Sequence, residues 1–304
     1  MSMHSSLSSL IAIINSVIYY FYEIGGPVLM VIGTVACTIN LIVFSQKTLR
    51  KNPCSIYFIA FNIANFFYIY SSLLALILSA GYNVNPSVYN LIICRLRLYA
   101  SLLFDCLSAF YLILASIDRV FITTRNVRYA YKVVIIGTLF WFVFHSHTLI
   151  FSDIIQIHYN YFLCYYQLGD YLSFIGYYSI IKEITTLLLL TICGLWSMAN
   201  IRKTCCGVVV ANPKSNSPKD RQFSFMLFIN VIIHGLFSLV FVIFLIYQQI
   251  TQNQVKSIEQ QQIEVIIRNL CLFNASIPVC ISCYTNLLVS KKFRSEAKKI
   301  RLCK

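Results

Sequence analysis

Long apolar runs alternate with short polar breaks along the whole chain. Seven runs are candidate helices: 24–45, 55–80, 91–122, 132–151, 171–199, 223–248 and 263–289. Each reaches or exceeds the roughly 20 residues an α-helix needs to cross a hydrocarbon core. The breaks are QKTLRKNP (46–53), GYNVNPS (81–87), TTRNVRYAYK (123–132), the stretch 152–170, residues 200–222, and QITQNQVKSIEQQQ (249–262). The pattern predicts an all-α membrane protein built as a seven-transmembrane helix bundle over 24–289. A short segment, 1–23, precedes the bundle, and a tail, 290–304, follows it. The apolar run 9–22 is expected to pack on the first span or extend it.

Composition agrees. Only 11% of residues are charged and 59% are hydrophobic. A soluble domain carries about 25% charged residues, so this chain could not cover a globular surface. Residues 1–23 contain no Lys or Arg, and no cleavable secretory signal is expected.

The formal charge of +14 changes the picture only through its distribution. Nineteen of the 24 Lys and Arg fall in the segments 46–54, 119–132, 200–222 and 290–304. A single one falls in 1–23, 81–93, 152–170 and 249–262. Cytoplasmic loops carry the basic excess, so the bias predicts the N-terminus outside and the C-terminus inside. The basic charge is then topology, and nucleic acid is not an expected partner; the lipid bilayer is. Seven spans without an internal repeat also argue against a transporter.

Twelve cysteines divide by the same topology. Only Cys94 and Cys164 fall at the outer face, where disulfides persist. They are expected to form a bridge that pins the loop before span five over the bundle mouth; two unpaired thiols are the alternative. Cys205, Cys206 and Cys303 lie among basic residues at the inner leaflet, as palmitoylation sites or as plain reduced thiols.

These features together resemble the rhodopsin-like (class A) G-protein-coupled receptors. The residues that carry the resemblance are Cys94 at the top of span three, Cys164 in the loop before span five, and Asp118-Arg119 in LASIDRVF at the bottom of span three. Cys94 and Arg119 are 25 residues apart, the family's separation. Asn40 in VACTINLIVF and Trp141 in GTLFWFV resemble the family's polar and aromatic markers of spans one and four. SKKFRSEAKKIRLC resembles its short amphipathic eighth helix. The chain departs from the pattern at Val120, where the family usually has Tyr, and at Asn62 and Asn65, where span two usually has an Asp. Spans five and six lack the family's prolines, and IPVCISCYTN stands in place of Asn-Pro-x-x-Tyr. The departures mark a divergent orphan-type member.

The resemblance implies a plasma-membrane receptor. It would bind an extracellular ligand, a small molecule or a peptide, and act through a heterotrimeric G protein. Asp118 and Arg119 would form the coupling pair, with Asp220 as the acid nearest span six. Arg119 stands about 36 Å below the outer Arg95 along a helix, which puts it at the inner boundary. A membrane transporter or channel, and a seven-span scaffold without signalling, are the alternatives.

Ionisable residues at membrane depth are functional candidates by default. Asp105 lies about 16 Å inward of Cys94 and shares a helix face with Ser101. Two readings are open for Asp105: contact with a ligand, or pairing with an internal base, namely Lys182, Arg268 or His234. Lys182 and Glu183 are adjacent, so they are expected on different faces. Arg268 and Glu264 are spaced to pair with each other. Arg95 and Arg97 flank the mouth, as interfacial anchors or as attractors of an acidic or peptide ligand. Ser101, Asp105, Lys182, His234 and Arg268 are therefore the ligand-pocket candidates. Asn40, Asn65, Asn274 and Asn286 are candidates for a polar network between spans. No hydrolase, metalloprotease or phosphate-loop motif is present, so no enzyme activity, metal or cofactor is expected.

Overall fold

The computed structural model describes residues 13–14, 16–50, 52–121, 127–158, 161–205, 218–252, 254, 256–290, 293–295 and 297–298. Seven of its helices are long and apolar enough to cross a membrane, the signature of a multi-pass membrane protein. They are α1 (Ser16–Phe44), α2 (Pro53–Gly81), α3 (Leu91–Phe121), α4 (Val127–Ile150), α5 (Asp170–Cys205), α6 (Pro218–Ile250) and α7 (Ile258–Val289). At 1.5 Å per residue even the shortest, α4, is about 36 Å long, enough for the roughly 30 Å core of a bilayer. Large apolar side chains stay on the outside, among them Ile136, Val143 and Leu288. An apolar exterior of this extent is stable only against lipid or a partner.

The helices close a ring. α1 packs on α2 and α7, α2 on α3, α3 on α5, α5 on α6, and α6 on α7. α4 sits outside the ring against α2 and α3 and is the least buried of the seven. Small residues set the closest approaches, as expected where lipid tails leave little hydrophobic drive between helices. A Cβ on Gly33 would lie 2.6 Å from the Cys280 sulfur on α7 and 2.8 Å from Ile69 on α2. A Cβ on Gly81 would lie 2.9 Å from the α1 backbone at Tyr22 and Glu23. This second contact joins two wide π-type turns, Phe21–Gly25 and Ile77–Gly81.

α1 starts upstream of residue 24, so the segment from Ser16 extends the first span. The anchor is Tyr22, fully buried, whose hydroxyl donates to the Asn269 carbonyl of α7 at 2.6 Å. α7 contains Pro278, which has no N–H to offer the Asn274 carbonyl one turn back.

The polar break 152–170 is not plain loop. Strands β1 (Ser152–His158) and β2 (Tyr161–Tyr166) pair antiparallel, with Ile154 opposite Cys164. Cys164 is bonded to Cys94 at the start of α3, with Cα atoms 5.6 Å apart. The hairpin is thereby tied to a helix that packs on α2, α4, α5 and α6.

Candidate functional site

Beneath β2, helices α2, α3, α5, α6 and α7 enclose a cavity of about 900 Å³. Its volume is in the range of small-molecule sites. All five pocket candidates named from the sequence line it: Ser101, Asp105, Lys182, His234 and Arg268. Their positions follow from helical phase. Ser101 and Asp105 are one turn apart on α3, and Lys182 faces them from α5.

The charged centre is a trio. The Lys182 ammonium donates to the Asp105 carboxylate and also contacts Glu183 Oε1 at 2.7 Å. Adjacent residues on a helix diverge by about 100°, and on that ground Lys182 and Glu183 are expected on different faces. Both nevertheless line the cavity, because the long Lys182 stem lets the ammonium reach both acids. Lys182 and Glu183 are both largely buried, while Asp105 retains 38% side-chain exposure toward the cavity. His234 lies beside the trio, its Nδ1 3.1 Å from the Ser238 hydroxyl. Ser101 is already engaged: its hydroxyl donates to the Ser71 carbonyl on α2 at 3.1 Å.

At the mouth the arrangement differs from the expected Arg268–Glu264 pair. Glu264 accepts from Lys256 at 2.7 Å and from the Tyr247 hydroxyl at 3.0 Å. Arg268 instead lies over the Tyr165 ring of β2, 5.7 Å from its centroid. Arg97 lines the cavity and donates to the Ser87 hydroxyl at 2.9 Å, whereas Arg95 holds the Ser152 carbonyl of the hairpin at 3.1 Å. Lost hydration pushes the Tyr166 hydroxyl of β2 well above the usual phenol range, so it remains a neutral lining group.

Below the cavity four asparagines link four helices. Asn40 of α1 donates to Asn62 of α2 at 2.7 Å. Asn286 of α7 donates to Asn40 at 3.3 Å, and Asn230 of α6 donates to Asn286 at 3.0 Å. Asn40 and Asn286 were expected in such a network; Asn62 and Asn230 complete it. Asn65 and Asn274 stand outside it. Asn65 accepts from the Ser108 hydroxyl of α3 at 2.6 Å, and Asn274 donates to the Phe237 carbonyl of α6 at 3.1 Å.

At the opposite end of α3 from the disulfide, Arg119 Nη2 donates to Asn52 Oδ1 at 2.8 Å. The same Asn52 oxygen caps α2 by accepting from the Cys54 N–H. Asp118 is half-buried beside Arg119 in sequence. Asp220 lies in the first turn of α6, and its side chain is outside the described residues. Cys205 is the last residue of α5, and Cys206 and Cys303 fall outside the described residues.

Among the described residues no group of His, Cys, Asp and Glu is arranged to hold a metal ion. No family model matches the chain, and no curated protein matches it.

Proposed function

We propose that the chain is a plasma-membrane receptor of the rhodopsin-like kind, with its N-terminus and hairpin outside. It binds an extracellular ligand in the cavity and engages a heterotrimeric G protein at the opposite face. The observation that carries this reading is on α3 alone. One helix presents Asp105 to a cavity under a tethered hairpin, and carries Arg119 in its last turn, about 14 residues on. That interval is about 20 Å of continuous helix joining a ligand-sized space to a basic surface.

The basic bias of the loops supports the orientation. Residues 293–295 and 297–298 are helical, which supports an eighth helix along the inner leaflet. Its anchor is Phe293, fully buried, whose ring lies 5.3 Å from Phe44 of α1. Arg294 donates to the Leu287 and Leu288 carbonyls at the end of α7.

Signalling in this scheme is a population shift between two bundles. The resting bundle holds Arg119 on the α2 cap through Asn52, and holds α6 to α7 through Asn230 and Asn286. An outward swing of α6 breaks the second contact, and release of Arg119 from Asn52 presents it to the G protein. A ligand drives the shift only by binding the open bundle more tightly. The test is G-protein activation by the full chain in cells carrying a promiscuous G-protein reporter, with a broad ligand screen and Arg119→Ala as control.

A further inference from the structure

Two of the four Lys and Arg side chains that line the cavity are neutralised. Lys182 is shared by Asp105 and Glu183, and Lys256 is held by Glu264. Arg97 and Arg268 are not. Both are half-buried and both line the cavity, Arg97 from α3 and Arg268 from α7. Their partners are the uncharged Ser87 hydroxyl and the Tyr165 ring. Among the described residues neither forms an ion pair, and Glu264, one turn before Arg268, is occupied by Lys256 and Tyr247.

Two like charges in a partly dehydrated wall raise each other's energy, and an anion between them relieves it. The guanidinium fork matches a carboxylate in two parallel hydrogen bonds. Deeper in the cavity the sign reverses. The trio holds two acids and one base, a net negative charge. An anionic head is therefore retained at the mouth and repelled from the floor. The wall between is apolar, with Leu98 and Leu102 on α3, Phe244 on α6 and Leu272 on α7.

We infer that the Arg97–Arg268 pair is the recognition point for a small organic acid, its carboxylate between the two guanidiniums and its apolar body against α3, α6 and α7. This rests on the cavity being the ligand site, but not on any coupling to a G protein.

The experiment uses the purified full chain in lipid nanodiscs and three probes that share one body: 4-phenylbutyrate, its neutral amide 4-phenylbutyramide, and the cation 4-phenylbutylamine. Binding is read by saturation-transfer NMR. The acid is expected to bind at least about tenfold tighter than the amide, the factor that charged hydrogen bonds are worth. Arg97→Gln and Arg268→Gln each remove the preference. Arg97→Lys and Arg268→Lys keep the charge and retain part of it, which separates lost recognition from lost folding. Equal binding of acid and amide overturns the inference. So does preferred binding of the amine, which would assign recognition to Asp105 and Glu183. Absence of acid binding at millimolar concentration overturns it as well. None of these outcomes bears on G-protein activation, which is read in cells without these probes.

Discussion

The Lys182 ammonium of α5 is in direct contact with the Asp105 carboxylate of α3, and Glu183 contacts the same ammonium from its other side. The unequal stoichiometry makes the two halves of this bridge unequal. Lys182→Met leaves two acids facing one another with no cation, whereas Asp105→Asn leaves Lys182 still paired with Glu183. Breaking a buried pair costs about 3 kcal/mol when a charge is stranded. Asp105 is more than a third exposed, and its loss is discounted to about 1 kcal/mol. Thermal unfolding in detergent is expected to place Lys182→Met well below Asp105→Asn. The reverse order would mean that Asp105, not Lys182, organises the site.

The Cys94–Cys164 bridge closes a loop of 70 residues. Chain entropy alone makes such a closure worth about 4 kcal/mol. Cys94→Ser, Cys164→Ser and the double variant should therefore lose equal stability, because each breaks the same bond. A double variant markedly weaker than either single one would show that the two cysteines act independently.

Asn40 and Asn286 share a hydrogen bond in a fully buried setting, and Asn65 belongs to a separate contact with Ser108. A double-mutant cycle to Ala should give a coupling of about 0.6 kcal/mol for Asn40 with Asn286. The cycle for Asn40 with Asn65 should give none. Equal couplings in the two cycles would count against a network that leaves Asn65 out.

The seven spans were legible because lipid exposure demands an unbroken apolar stretch, and that demand is written residue by residue. The Cys94–Cys164 bridge was legible because topology leaves only those two cysteines at one face. Side-chain partnerships across helices were less so. Nothing local in the chain distinguishes Asn62 from Asn65, yet one joins α1 and the other meets α3. Asn52 sits 67 residues from Arg119, and its pairing depends on how α2 and α3 meet. The hairpin was hidden by the brevity of its strands. The alternation in IQIH (155–158) is the signal that could have revealed it. Glu264 lay one turn from Arg268 and still paired elsewhere, because Lys256 in the preceding loop reaches it first.

We propose that Arg119, at the far end of the helix that lines the cavity, couples this bundle to a G protein. The decisive experiment is G-protein activation measured in cells at matched surface expression of wild type and Arg119→Ala. The expected result is constitutive or ligand-evoked activation in the wild type and its loss in Arg119→Ala. Activation that is unchanged in Arg119→Ala, or a wild type silent toward every G-protein class across the full ligand screen, would rule out this coupling role.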